Sequence, residues 1–203
     1  MLSQEGDAEV KESMRKRIPS FLMAILLIIN ICSSITAVQA ASSRTTLPVP
    51  IYQQEKTNWC WAAAARMAGV YKYWTTSVTQ SEIVGFIKGS SNINEPGDIF
   101  ETAESITYVT KGLYSALTAG QWPMSNIEHS IDNDYPVVPL VNDGNTGHYY
   151  VICGYNSSKI VLNDPWTGTQ KTCNWSDFAK GNTSSGWSDN RPYVYTVHFK
   201  DCF

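Results

Sequence analysis

Hydrophobic residues in the first half of the sequence recur with helical spacing, whereas those in the second half form short β-rich runs. Four alanines follow Cys60-Trp61, and apolar positions continue at Met67, Tyr71 and Trp74. Alanine is the strongest helix former, and this spacing places the larger side chains on one face. The pattern predicts a helix from Cys60 to about residue 73 or 74, with these side chains buried.

Two further helices are predicted before residue 110. Thr79 and Glu82 have the spacing of a capping box, in which each side chain accepts from the backbone N–H of the other, and Gly89 is suited to the helix end. Residues 97–108 form the next helical pattern. Its apolar side is expected to hold Ile99, Phe100, Ala103 and Ile106.

Apolar runs separated by turn residues dominate the rest of the chain. They predict strands at 136–141, 149–153, 160–162 and 193–199, with short helices at 124–132 and 175–180. Helices followed by strands indicate an α+β fold with an antiparallel sheet. We therefore expect an N-terminal helical part, whose first helix begins at Cys60, packed on a C-terminal sheet.

The N-terminal segment has the order of a secretory signal. Arg15-Lys16-Arg17 precede an apolar run at 18–31, and small residues follow up to Ala40. We expect residues 1–40 to be a signal peptide and 41–203 to be one domain. The acidic stretch before Met14 is unlike a signal, so translation starting at Met14 is a further hypothesis.

This segment also predicts localisation. Its apolar core is shorter than the ~20 residues of a membrane-spanning helix, so we expect cleavage, secretion and no stable membrane association afterwards. If the segment is not cleaved, the protein would be associated with the cell envelope instead.

Composition narrows the possible partners. The net charge is −3 at pH 7, and the sequence after the signal segment has no basic block, which argues against nucleic acid as a partner. We expect a monomer without cofactor or metal. Of the five cysteines, four follow the signal segment. A disulfide between Cys173 and Cys202 is one guess, but sequence does not determine connectivity.

Cys60 is the first candidate for chemistry because of its place at a predicted helix N-terminus, with Asn58 as a possible cap. Free backbone N–H groups and the positive end of the helix dipole stabilise a thiolate there, and the thiolate is the nucleophilic form. A thiolate nucleophile also needs a base.

The three histidines differ in their surroundings. His129 lies in a polar helix, where a solvated side chain is expected, and His198 lies in the closing strand, where a packed or surface position is usual. His148 follows Gly147 and opens an apolar strand, from which the imidazole can project into a cleft. His148 is therefore the predicted base.

An acceptor must orient that imidazole. If the strands at 149–153 and 159–163 pair as a hairpin, Asp164 lies beside His148 and can fix its tautomer. Asn163 is the rival acceptor. Gln54, six residues before Cys60, is a candidate donor to an oxyanion, although the adjacent Gln53 makes this choice less certain.

Together these motifs resemble the papain-like cysteine peptidases. They are Gln54, Asn58-Trp59-Cys60-Trp61-Ala62-Ala63, Gly147-His148-Tyr149-Tyr150-Val151 and Asn163-Asp164-Pro165. The likeness is greatest to the compact bacterial branch with bacteriocin-processing peptidase domains and plant-pathogen effector proteases. It implies a papain-like fold, Cys60 as nucleophile, His148 as base, Asp164 as orienting residue and Gln54 as oxyanion donor.

The function implied is a secreted cysteine endopeptidase that acts on a peptide or protein substrate through a thioester. The same thiol chemistry also fits an amidase, a peptidoglycan hydrolase or a transamidase. An inactive papain-like binding module is the alternative from a different class.

Overall fold

A computed structural model describes residues 45–74, 77–183 and 187–202 of the chain. The predicted signal peptide at 1–40 and the proposed start at Met14 lie outside these residues. In the described part, no helix has the length and apolar character needed to cross a membrane.

The described chain has helices mainly in its first half and strands mainly in its second, as predicted for an α+β fold. The helices are α1 (Cys60–Tyr73), α2 (Gln80–Lys88), α3 (Ile99–Val109), α4 (Met124–Asp132) and α5 (Trp175–Lys180). The strands are β1 (Thr45–Thr46), β2 (Ala116–Gly120), β3 (Val138–Asn142), β4 (Gly147–Tyr149), β5 (Val151–Asn156), β6 (Lys159–Asp164), β7 (Thr169–Asn174) and β8 (Tyr193–Phe199).

Helix α1 is the centre of the helical part and is buried along almost its whole length. Its alanines are all inaccessible to solvent, so their small size allows neighbouring elements to approach closely. A Cβ atom at Gly69 would lie 2.6 Å from a methyl of Val109, which shows how tightly α1 packs against α3. The nucleophile candidate therefore begins a rigid core helix.

The helix ends largely follow the sequence prediction. Thr79 and Glu82 form the expected capping box of α2, and Gly89 ends that helix in the left-handed conformation. Trp74 ends α1 in the same conformation, with φ 55°. Its side chain is 83% exposed, so the prediction that Trp74 is buried was wrong.

Helix α3 carries a second capping box, between Asp98 and Glu101, that the sequence analysis did not identify. Ala103 and Ile106 are buried as predicted, whereas Phe100 is 67% exposed, so its predicted burial was wrong.

The strands form two four-stranded antiparallel sheets, with the orders β1-β5-β6-β7 and β2-β8-β3-β4. Strands β5 and β6 pair as the predicted hairpin, with Val151 opposite Asn163 and Asn156 opposite Lys159. Strand β6 of the first sheet ends at Asp164.

The chain passes from one sheet to the other at Tyr150. The predicted single strand at 149–153 is in fact two, β4 in the second sheet and β5 in the first. Tyr150 N–H donates to Pro139 O at 3.1 Å, and Val137 and Ile152 form a bridge beside it. This junction holds the edge of one sheet next to the other.

The predicted disulfide is absent. Cys60, Cys153, Cys173 and Cys202 are all free thiols. Cys173 lies on β7 opposite Ile160, whereas Cys202 Sγ donates to Phe199 O at 2.8 Å beyond the end of β8. Cys173 thus lies in the first sheet and Cys202 in a short 3-10 helix after the second, and the guess that they are bonded was wrong.

Two fully buried tryptophans at the start of α1 hold the loop that precedes α3. Trp59 Nε1 donates to Ile93 O at 2.8 Å, and Trp61 Nε1 donates to Glu95 O at 3.1 Å. A Cβ at Gly97 would lie only 2.4 Å from the Trp61 indole, so glycine is required for this contact. These contacts fix the loop beside the cleft at Cys60, which Pro96 lines.

Candidate active site

Cys60 is the first residue of α1 and is partly exposed. The preceding Trp59 provides no side-chain cap, and the predicted cap, Asn58, instead donates from Nδ2 to Asn94 O at 2.8 Å. The cap prediction was therefore wrong. Because the helix start lacks a side-chain acceptor, its first backbone N–H groups are available to stabilise negative charge near the thiol.

His148 lies in the middle of β4, at the edge of the second sheet, opposite Val141. Its imidazole is buried, hydrogen-bonds Asp164, and lies close enough to Cys60 for that thiol to affect its pKa. Nε2 lies 2.9 Å from Asp164 Oδ1, which leaves Nδ1 for the thiol. Burial lowers the pKa of His148, but the interactions with Asp164 and Cys60 outweigh it and raise the pKa from 6.5 to about 9.

Asp164 ends β6 and is almost fully buried. Besides the contact with His148, its carboxylate accepts from Trp166 N–H at 2.8 Å, Thr167 Oγ1 at 3.1 Å and Lys171 Nζ at 2.7 Å. Burial raises the pKa of Asp164, but the hydrogen bonds from His148 and Lys171 hold that pKa well below its usual range. The carboxylate is therefore ionised and fully hydrogen-bonded.

Asn163, the alternative acceptor, points away from the histidine. Its Nδ2 donates to Val49 O at 3.2 Å, and its Oδ1 accepts from Gln170 Nε2 at 3.1 Å. Neighbouring residues of a strand face opposite sides of the sheet, so only one of Asn163 and Asp164 can face the cleft. The structure places Asp164 there.

Gln54 lies in the loop that leads to α1. Its Nε2 donates to the carbonyl oxygens of Lys56 at 2.9 Å and Thr57 at 2.8 Å, which engages both amide protons. Its backbone N–H donates to Pro165 O at 2.8 Å. Gln54 thus orders the loop before Cys60, and its role as an oxyanion donor stays a prediction.

Tyr150 supports the imidazole and was not identified from sequence. Its ring packs edge-on against His148, with centroids 4.6 Å apart, and its hydroxyl donates to Asp189 Oδ2 at 2.7 Å. Arg191 holds that carboxylate through two contacts of 2.8 Å. Asp189 is distant in sequence and follows no strand signal, so only the tertiary structure reveals this support.

The other two histidines have different surroundings. His129 is exposed on α4, as predicted. His198 packs against Trp122 with ring centroids 4.4 Å apart, and its Nδ1 faces Phe199 O at 2.9 Å. Burial lowers the pKa of His198. His148 is thus the histidine that the fold brings to Cys60.

Two cavities of about 590 and 440 Å³ meet at Cys60. Pro96 and Gly147 line both, which places the loop held by the tryptophans on one wall and β4 on the other. The larger cavity contains His148 and Asp164 and is otherwise mainly polar, whereas the smaller one includes Ile99, Leu140, Tyr149 and Tyr195. An extended chain crossing the thiol would occupy both.

The α+β fold, with a thiol at the start of a buried helix facing a histidine on a sheet edge, is that of the papain-like cysteine peptidases. Within that class, the model of the Peptidase_C39 like family matches residues 46–191. The chain belongs to this family and is a cysteine peptidase.

Solved structures with the same fold include two peptidases. A putative C39-like peptidase from Bacillus anthracis superposes with a TM-score of 0.53 at 12% identity, covering 77% of this chain and 96% of that one. A double glycine motif protease from an AMS/PCAT transporter, solved with its leader peptide, gives 0.51 at 17% identity, with 77% and 95% covered. At these identities, both similarities establish the fold alone. No curated protein sequence matches the chain significantly.

Proposed function

We propose that this peptidase is a secreted endopeptidase in which Cys60 is the nucleophile, His148 the general base and acid, and Asp164 the orienting residue. The observation that carries the proposal is that Cys60, His148 and Asp164 line the same cavity, with His148 hydrogen-bonded to Asp164 and close enough to Cys60 for the thiol to affect its pKa. A nucleophile, a base and an acceptor in contact are the arrangement needed for acyl transfer.

The reaction follows from these contacts. The Cys60 thiolate attacks a peptide carbonyl carbon, a C–S bond forms, and the C–N bond breaks as His148 gives its proton to the leaving amine. Neutral His148 then takes a proton from water, whose oxygen attacks the thioester carbon; the C–S bond breaks and releases the carboxylic acid and the Cys60 thiolate, which restores the starting thiolate and imidazolium. Asp164 keeps the imidazole in one tautomer throughout.

The oxyanion of each tetrahedral intermediate needs hydrogen-bond donors. The uncapped start of α1 supports the Cys60 backbone N–H as one donor. Gln54 is the predicted second donor, which requires its Nε2 to leave one of the two loop carbonyls it now contacts. Each such donor contributes about 3 kcal/mol to lowering the barrier.

Thiol labelling tests the nucleophile. The pKa values of Cys153 and Cys173 are raised by burial to about 12, and burial also raises the pKa of Cys202. We therefore expect iodoacetamide at neutral pH to label Cys60 first, as located by peptide mass spectrometry. Preferential labelling of Cys153, in a matched comparison with Cys153→Ala, would contradict the assignment.

A broad peptide library tests the reaction. The wild type should cleave internal peptide bonds, and Cys60→Ala should not, while Cys153→Ala should retain activity. Labelling at Cys60 without cleavage of any peptide would favour the amidase, peptidoglycan hydrolase or transamidase reactions, which use the same thioester. No labelling and no cleavage would favour an inactive binding module.

Secretion is supported by the charged, apolar and small-residue order of residues 1–40. Expression of the full-length chain in a bacterial host should give an exported product that begins at residue 41, as read by N-terminal mass spectrometry. A cell-associated product that keeps the apolar segment would instead indicate an envelope-anchored peptidase.

A further inference from the structure

Lys171 contacts the candidate catalytic carboxylate on the side opposite His148. Its Nζ lies 2.7 Å from Asp164 Oδ2, while His148 Nε2 lies 2.9 Å from Oδ1. The lysine side chain is 32% exposed and lines the larger cavity, whereas the Asp164 side chain is 3% exposed. One buried carboxylate is therefore shared between two cations.

We propose that Lys171 is a positioning residue for the peptidase reaction, which fixes the Asp164 carboxylate and limits how strongly it holds the proton of His148. The inference rests on the proposed roles of Cys60, His148 and Asp164. Lys171 acts through Asp164 and not on the substrate.

The β6–β7 hairpin explains why the lysine reaches the carboxylate. Asp164 pairs with Thr169 at the turn, and Lys171 follows two residues later on β7, so both lie on one face of the sheet. The turn itself, closed by Gly168 N–H to Asp164 O at 2.9 Å, supplies the donors from Trp166 and Thr167. Oδ1 and Oδ2 each have assigned partners, so the carboxylate has one orientation.

The other charged groups around the cavity do not compete with the contact between Lys171 and Asp164. The titratable and charged groups that face it are Cys60, His148, Tyr150, Asp164, Lys171, Asp189 and Arg191. Asp189 and Arg191 pair with each other, and Tyr150 donates to Asp189. Without Lys171, the carboxylate would attract the His148 proton more strongly, so the imidazolium would persist to higher pH and give its proton less readily to the leaving amine.

The test compares Lys171→Met, Lys171→Arg and, as a matched control, Lys159→Met, which alters an exposed lysine on the adjacent β6. The rate of Cys60 alkylation by iodoacetamide is measured against pH without any peptide, and kcat and KM are measured with a peptide selected from the library. Circular dichroism confirms folding, and Lys171→Gln replaces Lys171→Met if that variant does not fold.

For Lys171→Met we expect the alkaline inflection of the alkylation profile to move up by about one pH unit, with kcat reduced about tenfold and KM within about twofold. Lys171→Arg should restore the wild-type inflection and bring kcat within about threefold of the wild type. Lys159→Met should match the wild type.

Three outcomes would overturn the proposal. An unchanged inflection would reduce Lys171 to a surface ion pair without effect. A raised KM with unchanged kcat would make it a substrate contact, and an inflection that moves down would reverse the argued sign. If no peptide is cleaved but the inflection moves up, the endopeptidase proposal fails while the positioning role stands, because alkylation needs no substrate.

Discussion

At the scale of single residues, Asp164 and its neighbour Asn163 show how the alternation of side chains along a strand gives adjacent residues different contacts. Asp164 faces His148, whereas Asn163 faces Val49 and Gln170 on the other side of β6. Two adjacent residues that could both accept a hydrogen bond are thus separated by the alternation of the strand.

This separation predicts different effects of substitution. Asp164→Asn removes the charged acceptor and should lower kcat at least about a hundredfold, because the amide favours the wrong tautomer of His148. Asn163→Ala should leave kcat nearly unchanged but lower the free energy of unfolding by about 2 kcal/mol, since it removes the hydrogen bonds of a buried side chain to Val49, Cys153 and Gln170. Peptide kinetics and urea unfolding measure the two effects, and equal losses of kcat would contradict the assignment.

His148 predicts the pH dependence of activity. In the proposed mechanism the imidazolium gives its proton to the leaving amine, and its pKa is raised to about 9, so kcat/KM should fall as pH rises through about 9. The observed value belongs to the coupled Cys60–His148 pair. In Asp164→Asn the alkaline limb should move to lower pH, because the hydrogen bond that most raises the pKa is lost. A pH–rate profile of the wild type and of Asp164→Asn checks both predictions. An alkaline limb that does not move in Asp164→Asn would show that Asp164 does not raise the pKa of His148.

The same shift predicts pH-dependent stability. The folded pKa of His148 lies above its ordinary 6.5, so the stabilisation is complete below about 6.5 and is lost as pH rises through about 9. Thermal unfolding of the wild type should therefore shift to lower temperature between pH 7 and 9. The shift should be smaller in Cys60→Ala, which lacks one of the interactions that raise this pKa.

The proximity of Asp164 to His148 could be anticipated from sequence, because Asp164 ends β6 and His148 shortly precedes β5, the strand joined to β6 by a short turn. Lys171 and Tyr150 could not, since their contacts depend on where β7 and the loop at Asp189 pack. Nor did the sequence show that the amide protons of Gln54 are engaged by backbone carbonyls.

At the scale of elements, the paired tryptophans at the start of α1 link the thiol to the cleft wall. The Trp61 indole is inaccessible to solvent, donates to Glu95 O and packs on Gly97. Both tryptophans therefore serve the fold and the shape of the cleft.

Substitution of Trp61 should weaken this wall. Trp61→Phe removes the indole donor and part of the ring, and we expect a loss of about 2–3 kcal/mol in the free energy of unfolding. KM should rise more than kcat falls, because the loop lines both cavities while Cys60 remains in place. Trp166→Phe, which alters an exposed tryptophan at the rim, provides the comparison for stability and should change it little.

Elements with strong local signals were predicted well. The capping box of α2 and the alanine run of α1 specify helices without help from tertiary contacts. Strands β1, β2 and β7 were missed because they are short or rich in polar residues, and their pairing with β5, β8 and β6 defines them. The division of the second half into two sheets depends on the turn at Tyr150, which has no glycine or proline to mark it.

At the scale of the whole molecule, the four described cysteines are free thiols in a chain that we propose to be secreted. The melting temperature should therefore be the same with and without a thiol reductant. Cys173→Ala and Cys202→Ala should each act only as truncations of buried side chains, costing about 1–2 kcal/mol. Non-reducing mass spectrometry provides the check, and an unreduced protein lighter by two hydrogen atoms would contradict the prediction.

The division into sheets has a consequence for control of the enzyme. His148 belongs to one sheet and Asp164 to the other, so the hydrogen bond between them spans the seam where the chain crosses at Tyr150. A hydrogen bond weakens over less than one ångström of displacement. A small displacement of one sheet relative to the other would therefore weaken the contact between His148 and Asp164, and activity would fall while both sheets were still intact.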